Sequence, residues 1–195
     1  MFFKKLEKYN VLLASGSKRR HELLNGLNVD FKLISQEIDE SYPKELMKHE
    51  ITDYLAIKKS DHLKKFLKQN ELLITADTIV WFNSCPLEKP KNKNEAIKMI
   101  KLLRNNSHEV ISSVCISTNK IQKIISETTK VYFNELSDDD ITYYTSNYDV
   151  LDRAGSYGIQ DYIGHVGVSK IEGCYNNVLG FPTSLFCKTI NKMKL

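Results

Sequence analysis

The sequence lacks the features that would mark it as disulfide-rich, zinc-binding or membrane-spanning. Its four cysteines are widely spaced and form no C-x-x-C pair, so we expect reduced thiols and neither a disulfide framework nor a zinc site. No window approaches the roughly 18 apolar residues that a membrane span requires. The N-terminal residues also lack the apolar core of a signal peptide. These absences predict a cytoplasmic protein that has no membrane partner.

The chain also has no strong charge bias and no linker. A net charge of +4 is compatible with an anionic substrate but falls short of the basic coat typical of nucleic-acid-binding proteins. There is no repeat, low-complexity tract or Pro/Gly-rich segment, and 42% of the 195 residues are hydrophobic, enough for one sizeable core. We therefore predict one domain over residues 1–195, built as two lobes.

Strand and helix patterns alternate along the chain, which predicts the α/β fold class. Apolar runs predict strands at Val11–Ala14, Phe31–Ile34, Leu72–Ala76, Thr78–Phe82, Val110–Thr118 and Ile121–Phe133. Apolar spacing predicts helices at Lys18–Asn25 (with Gly26 as C-cap), Leu46–Gln69 and Asn94–Arg104. The apolar face of the longest helix is expected to contain Ile51, Tyr54, Leu55, Leu63, Phe66 and Leu67. Ser137, followed by three aspartates, predicts the N-cap of a further helix.

The segment Ala14–His21 joins small residues to three consecutive cations directly after a predicted strand. Small residues let the backbone approach a ligand, and the free N–H groups at a helix start favour an anion such as a polyphosphate. The same pattern is found in a solvated basic helix start, a targeting signal or a nucleic-acid patch. However, cations at a helix N-terminus oppose the helix dipole, which favours an anionic ligand at this position.

Two acids and one lysine are further candidates for chemistry. Asp77 interrupts an apolar stretch where an aspartate is costly to bury, which indicates either a metal ligand or general base at a strand end, or an acid in a bulge or turn. Glu40 follows a strand and Lys89 precedes a proline, and each pattern also fits an ordinary surface residue. We interpret His108 as structural rather than catalytic.

Taken in order, several short motifs resemble those of the Maf family of nucleoside triphosphate pyrophosphatases. The family's opening motif, L-A-S-x-S-P-R-R, is similar to Leu13–Arg20. The other matching motifs are Ile38-Asp39-Glu40, Lys59 in an A-x-x-K segment, Ala76-Asp77-Thr78, Leu87-Glu88-Lys89-Pro90, His108-Glu109-Val110, Asp152–Gln160 and Asn177–Pro182. One such motif would be weak evidence, but the ordered set from about Val11 to Phe186 is specific.

The resemblance implies hydrolysis of a nucleoside triphosphate between its α- and β-phosphates, with Mg²⁺ or Mn²⁺ as cofactor. It implies that Asp77 accepts a proton from water and that Glu40 and Asp77 hold the metal. Whether one carboxylate does both is left open by the sequence. The residues implied to bind the triphosphate are Ser15, Ser17, Arg19, Arg20, Lys59 and Lys89. The family also implies a long twisted mixed sheet flanked by helices, a cleft between two lobes, and a homodimer.

Three positions resemble the family members that act on dTTP and UTP. These are Arg19, Thr78 and Gln160, whereas members that act on 7-methylguanosine triphosphate resemble S-P-W-R-R, S-D-Q and E-G-F-G. Arginine and glutamine have groups that pair with the edge of a uracil-type ring, and a tryptophan would instead stack on a cationic purine. We expect dTTP and UTP, including modified pyrimidines, with the methylated purine nucleotide as the alternative.

The chain departs from the family pattern in ways that matter for the site. Lys18 stands where the motif has proline, Arg153 where it has lysine, and Asp161 where it has glycine.

A different class of function also stays open, because the family is linked to inhibition of septum formation. The chain could be a regulator that binds nucleotides or nucleic acid without turnover. The acidic residues argue against this alternative, since Glu40 and Asp77 would repel an anion in the absence of metal.

Overall fold

The computed structural model of the protein describes residues 1–35 and 38–195. The strands are β1 (Asn10–Ala14), β2 (Phe31–Leu33), β3 (Glu71–Phe82), β4 (Cys85–Leu87), β5 (Ser107–Ser117), β6 (Gln122–Phe133) and β7 (Val168–Glu172). The helices are α1 (Phe2–Leu6), α2 (Lys18–Gly26), α3 (His49–Lys64), α4 (Lys93–Leu103), α5 (Asp138–Asn147), α6 (Tyr162–Gly167), α7 (Tyr175–Val178) and α8 (Thr183–Lys192). Among these described residues, no helix combines the length and apolar character that a membrane crossing needs.

The strands form one mixed sheet, which confirms the predicted α/β class. Its order is β2-β1-β3-β5-β6-β7, with β4 paired to β3. β1 runs parallel to β2 and β3, while β4 runs antiparallel to β3 and β7 antiparallel to β6. The last residue of β1, Ala14, lies opposite Thr75, so β3 continues beyond the carboxyl end of β1. The carboxyl ends of parallel strands are where α/β proteins usually bind ligands.

Asp77 lies inside the continuous strand β3, so the expectation that it ends a strand or occupies a turn is wrong. The strand stops at a turn formed by Asn83 and Ser84, where both residues have positive φ angles of 47° and 63°. Two such residues suit the tight hairpin that reverses the chain into β4. This short strand was not predicted, because it contains Pro86 within only three residues.

Two helix predictions need correction. α3 is shorter than predicted, and Tyr54 and Phe66 are exposed by 38% and 70% instead of lining the buried face. Its buried residues are Ile51, Thr52, Leu55, Ala56 and Ser60. Apolar spacing missed this face because part of it is hydroxyl-bearing and hydrogen-bonded. In α2, Gly26 is the last helical residue and Leu27 is the C-cap.

The chain divides into two compact units. The first contains Met1–Asp77, Ser112–Glu127 and Gly180–Leu195. Its buried core draws on β1, β3, β5 and α8, with Leu13, Ile74, Val114 and Phe186 fully buried. The second contains Thr78–Ile111 and Thr128–Leu179. Its core includes Ile100, Val131, Tyr144 and Ile163, from α4, β6, α5 and α6. The boundary in β3 therefore falls between Asp77 and Thr78.

The start of α5 confirms the N-cap predicted from the sequence. Ser137 Oγ accepts a hydrogen bond from the Asp140 backbone N–H at 3.0 Å, and Asp140 Oδ2 accepts from the Ser137 backbone N–H at 3.1 Å. This reciprocal arrangement is a capping box, which satisfies two backbone donors that the helix leaves without partners. The pKa of Asp140 is lowered, first by its hydrogen bond from the Ser137 side chain.

Substituting Ser137→Ala should lower the free energy of unfolding by about 1 kcal/mol, because the cap is lost. Ser146→Ala is the matched control, since Ser146 is exposed on the same helix, and it should change stability by less than about 0.5 kcal/mol. Urea unfolding followed by circular dichroism measures both. Equal effects of the two substitutions would show that the cap does not stabilise α5.

Candidate active site

The loop between β1 and α2 is held in place by Arg20. Arg20 Nε donates to the Gly180 carbonyl at 2.9 Å, and Nη1 donates to Ser15 Oγ at 3.2 Å and to the Ala76 carbonyl at 3.1 Å. Ser15 Oγ also accepts from the Ser17 backbone N–H at 3.3 Å. The arginine thus joins the loop after β1 to the neighbouring segment of β3. Such bonds fix the backbone of the loop before any ligand arrives.

The serines and cations of this loop have different surroundings. Ser17 is the N-cap of α2, but its side chain makes no capping hydrogen bond, and Lys18 is exposed. Arg19 and Ser15 are half-buried. His21 Nε2 lies 2.7 Å from the Ser15 carbonyl oxygen, a support that the sequence analysis did not predict. This oxygen lies six residues before His21, outside the i−3 and i−4 spacing of a helix, so no helical pattern in the sequence indicates the contact.

An acidic pair, Glu40 and Asp77, converges on one lysine in the same unit. Lys59 Nζ lies 2.7 Å from Glu40 Oε1 and 2.8 Å from Asp77 Oδ1. The side chains of Lys59 and Asp77 are only 14% and 12% exposed, while Glu40 is 55% exposed. Three residues from motifs far apart in the sequence therefore meet at one point.

The protonation of Asp77 reflects two opposing effects. Burial raises the pKa of the carboxyl above its ordinary value, and the positive charge of Lys59 is the largest effect in the opposite direction. The charge of Arg20 also lowers this pKa, whereas that of Glu40 raises it. A buried carboxylate with a raised pKa is a stronger proton acceptor than an ordinary aspartate.

A hydroxyl seam fixes α3, and with it Lys59, against the sheet. The bonds of this seam join Thr52 Oγ1 to Ser113 Oγ (2.6 Å), Thr75 Oγ1 to the Ala56 carbonyl (2.6 Å) and Ser60 Oγ to Ser117 Oγ (2.7 Å). The three helix positions are four residues apart, so they lie on one face of α3. Hydrogen bonds are more directional than apolar contacts. The seam therefore fixes the position of α3 along the direction of strands β3 and β5.

The acidic pair fits a divalent cation. Mg²⁺ binds carboxylate oxygens and usually completes its shell with substrate phosphates and water. The two carboxylates already point at one positive group, the Lys59 ammonium, so their oxygens face a common position. Among residues 1–35 and 38–195, no cluster of three or more His, Cys, Asp or Glu could hold a metal ion without such help.

The other predicted site residues belong to the second unit. Thr78 directly follows Asp77 on β3 and is half-buried. Lys89 Nζ lies 2.9 Å from Asp152 Oδ1, with both side chains 57% exposed, so this ion pair contributes little to stability. Gln160 has its Oε1 atom buried, and this atom finds no hydrogen-bond partner within the described parts of the chain.

His108 is structural, as the sequence analysis interpreted it. Its Nε2 lies 2.6 Å from the Tyr157 hydroxyl, and its ring packs edge-on against Phe133 and Tyr157 with centroids 5.3 Å away. Burial lowers the pKa of His108 to about 3, so the ring is neutral at physiological pH. The histidine therefore joins β5 to the segment that precedes Gln160.

The fold and the acidic pair define an α/β protein in which the loop between β1 and α2 and the two carboxylates belong to the same unit. The family described as Maf-like protein matches residues 10–193. The chain belongs to this family.

Comparison with individual proteins agrees with the family match. The chain is 47% identical to a dTTP/UTP pyrophosphatase of Flavobacterium johnsoniae, covering 94% of this chain and 95% of the relative. It is 48% identical to the Flavobacterium psychrophilum protein of the same name, over 94% of each chain. The solved structure of the Staphylococcus aureus Ham1 protein aligns with a TM-score of 0.53 and 15% identity, covering 93% of this chain and 98% of that one. This last likeness supports the fold alone.

Replacing Lys59 with methionine should raise the pKa of the Asp77 carboxyl further, because the largest opposing charge is removed. Carboxyl titration by carbon-detected NMR, in chelator, measures this pKa directly. The matched control is Lys58→Met, since Lys58 pairs with Asp39 at 3.1 Å and not with Asp77.

In the control, Asp77 should titrate as in the parent protein. The pKa of Asp39, which is lowered to about 2 mainly by hydrogen bonds from Ser41 and less by Lys58, should rise. An unchanged Asp77 titration in Lys59→Met would show that this lysine does not tune the carboxyl.

Proposed function

We propose that this protein hydrolyses nucleoside triphosphates between the α- and β-phosphates, with dTTP and UTP preferred. The products are a nucleoside monophosphate and pyrophosphate. Relatives named dTTP/UTP pyrophosphatase, 40–48% identical over at least 94% of this chain, support the reaction. The observation that carries it is the meeting of Lys59 with Glu40 and Asp77, within the unit that also contains the Ser15–Ser17 loop.

The residues have distinct tasks in this proposal. Asp77 Oδ takes the proton of the attacking water, and burial strengthens it as a base. Ser15, Ser17 and Arg19, at the start of α2, bind phosphate oxygens, and the frame that Arg20 makes keeps them in place. Lys59 and Lys89 supply further positive charge, which a triphosphate with nearly four negative charges requires.

We also propose Mg²⁺ or Mn²⁺ as the cofactor, held by Glu40 and Asp77. When bound, the cation neutralises phosphate charge and stabilises the charge that develops on the leaving pyrophosphate. The support is the donor set, because two carboxylates directed at one positive charge suit a hard cation.

Base preference is proposed to depend on Arg19, Thr78 and Gln160. The buried Oε1 of Gln160, which lacks a partner among the described residues, is an acceptor for the N3–H group of thymine or uracil. Cytosine has no hydrogen at N3, so it would leave this acceptor unsatisfied. A buried polar atom without a partner is costly, and that cost is a source of selectivity.

Pyrophosphate release from dTTP or UTP with Mg²⁺ or Mn²⁺ should fall at least about 1000-fold in Asp77→Asn, since the proton acceptor is lost. Nucleotide binding, measured by calorimetry, should persist. The matched control is Asp139→Asn, an exposed acid on α5, which should retain full turnover.

The assay should include CTP, GTP and 7-methylguanosine triphosphate. Faster turnover of the methylated nucleotide would overturn the proposed subgroup, and near-normal turnover by Asp77→Asn would overturn the proposed base. Salt-sensitive binding to DNA or RNA without metal, together with no release from any nucleotide, would favour the regulator instead.

Gln160→Leu should reduce the UTP-to-CTP ratio of kcat/KM by about 10-fold, the effect of losing one buried hydrogen bond. The control is Gln122→Leu, because Gln122 is an exposed residue that bonds to Ser60 and Asp61. If the ratio stays at its original value in Gln160→Leu, base selection does not depend on this amide.

Three expectations stay predictions: one domain over residues 1–195, a homodimer and a cytoplasmic location. Analytical ultracentrifugation would measure directly whether the protein is a homodimer. The dimer rests on family resemblance alone.

A further inference from the structure

A tight turn carries Gln160. The Asp161 backbone N–H donates to the Gly158 carbonyl at 3.0 Å, so Gly158 and Asp161 are the first and last residues of a hydrogen-bonded β-turn. Gln160 is the third residue of this turn. The direction of its side chain therefore depends on how the two ends of the turn are held.

Both ends are held by the same buried oxygen atom. The Gly158 backbone N–H donates to the Tyr144 hydroxyl at 3.0 Å, and that hydroxyl donates to Asp161 Oδ2 at 2.8 Å. Tyr144 lies on α5 and is fully buried. A single phenol oxygen from α5 is thus hydrogen-bonded to both the first and the last residue of the turn.

Arg153 completes this arrangement, which we name the turn clamp: Tyr144, Arg153 and Asp161. Arg153 Nη1 pairs with Asp161 Oδ2 and donates to the Tyr144 hydroxyl at 3.0 Å. The two charged side chains are only 13% and 11% exposed. A Cβ atom at Gly158 would overlap the Arg153 guanidinium, so glycine is required where the arginine crosses the turn.

The clamp joins two of the departures from the family pattern. Arg153 stands where the motif has lysine, and Asp161 where it has glycine. A buried arginine without an acid partner, or a buried aspartate without a cation, would each be strongly unfavourable. Because the two residues contact each other, each supplies the partner that the other needs.

We propose that the turn clamp is a positioning device for base selection, in which Tyr144, Arg153 and Asp161 set the orientation of the Gln160 amide. This rests on the proposed function of Gln160. None of the three need touch the nucleotide. They act by fixing the backbone of the turn, so that Oε1 of Gln160 is aimed before the base arrives. Preorganisation of this kind lowers the cost of binding the correct base.

Tyr144→Phe is the sharpest test, because it removes the shared hydroxyl and keeps the buried ring. The UTP-to-CTP ratio of kcat/KM should fall about 10-fold, with kcat for UTP changed less than about 3-fold because Asp77 is untouched. In the double variant Tyr144→Phe/Gln160→Leu, the UTP-to-CTP ratio should be no lower than in Gln160→Leu alone. The matched control is Tyr148→Phe, whose ring packs against Tyr144 with centroids 4.9 Å apart.

A second readout does not depend on turnover. Hydrogen exchange of the Gly158 amide should be at least about 10-fold faster in Tyr144→Phe than in the control, since its acceptor is gone. The double variant Arg153→Met/Asp161→Asn, which removes both charges together, should fold and should show the same loss of selectivity.

The outcomes separate the two proposals. If the parent protein releases no pyrophosphate from any nucleotide, the proposed function fails and the inference that the clamp acts in base selection is overturned with it, even if the exchange rate shows that the hydroxyl holds the turn. If the parent is selective and Tyr144→Phe keeps the same ratio, or if its effect adds to that of Gln160→Leu, the clamp does not act through Gln160 and the inference is overturned.

Discussion

The carboxylate of Asp77 is the constraint on which the first unit depends. It lies inside a mostly apolar strand, where an isolated buried charge would be very costly, and burial raises its pKa. The Lys59 ammonium offsets much of that cost. That lysine comes from α3, so the helix must lie at one position along the sheet if the ion pair is to form. The requirement for a counter-charge thus connects strand, helix and loop in one arrangement.

The second unit also contains a buried charge that needs a counter-charge, and different residues provide it. Arg153 and Asp161 are a mostly buried ion pair, and a phenol oxygen from α5 satisfies part of their hydrogen-bonding capacity. In both units a charge removed from water is paired and hydrogen-bonded; the pair in the first unit joins a helix to a strand, and the pair in the second holds a turn. Rigid support of this kind is what a site needs if its groups are to be placed before the ligand binds.

Much of the fold could be predicted from the sequence, because apolar runs and capping residues are local signals. The strands near Val11 and Leu72, and the capped start of α5 at Ser137, lie where the pattern placed them. The buried face of α3 could not be predicted in this way. Hydrophobic periodicity counts apolar residues only, and Thr52 and Ser60 are buried through hydrogen bonds to strands that are distant in sequence.

The site residues show the same division. Ordered motifs indicated Glu40, Lys59 and Asp77, and the structure brings them together. By contrast, the contact between Asp161 and Arg153 could not be predicted, because it depends on the path of the turn. Each of these two departures from the family motif, taken alone, suggests a lost interaction, and only the structure shows that the two residues form an ion pair.

The hydroxyl seam has a consequence for how relatives of this protein diverge. Ser60 and Ser117 are both buried, and each hydroxyl has one further contact, Gln122 Nε2 at 3.2 Å for Ser60 and Cys115 Sγ at 3.6 Å for Ser117. A hydroxyl whose opposite number is replaced therefore keeps a partner, and the cost of a single replacement is one lost hydrogen bond, about 1 kcal/mol. The seam thus constrains its two sides only moderately, and α3 and β5 are able to diverge at these positions one residue at a time.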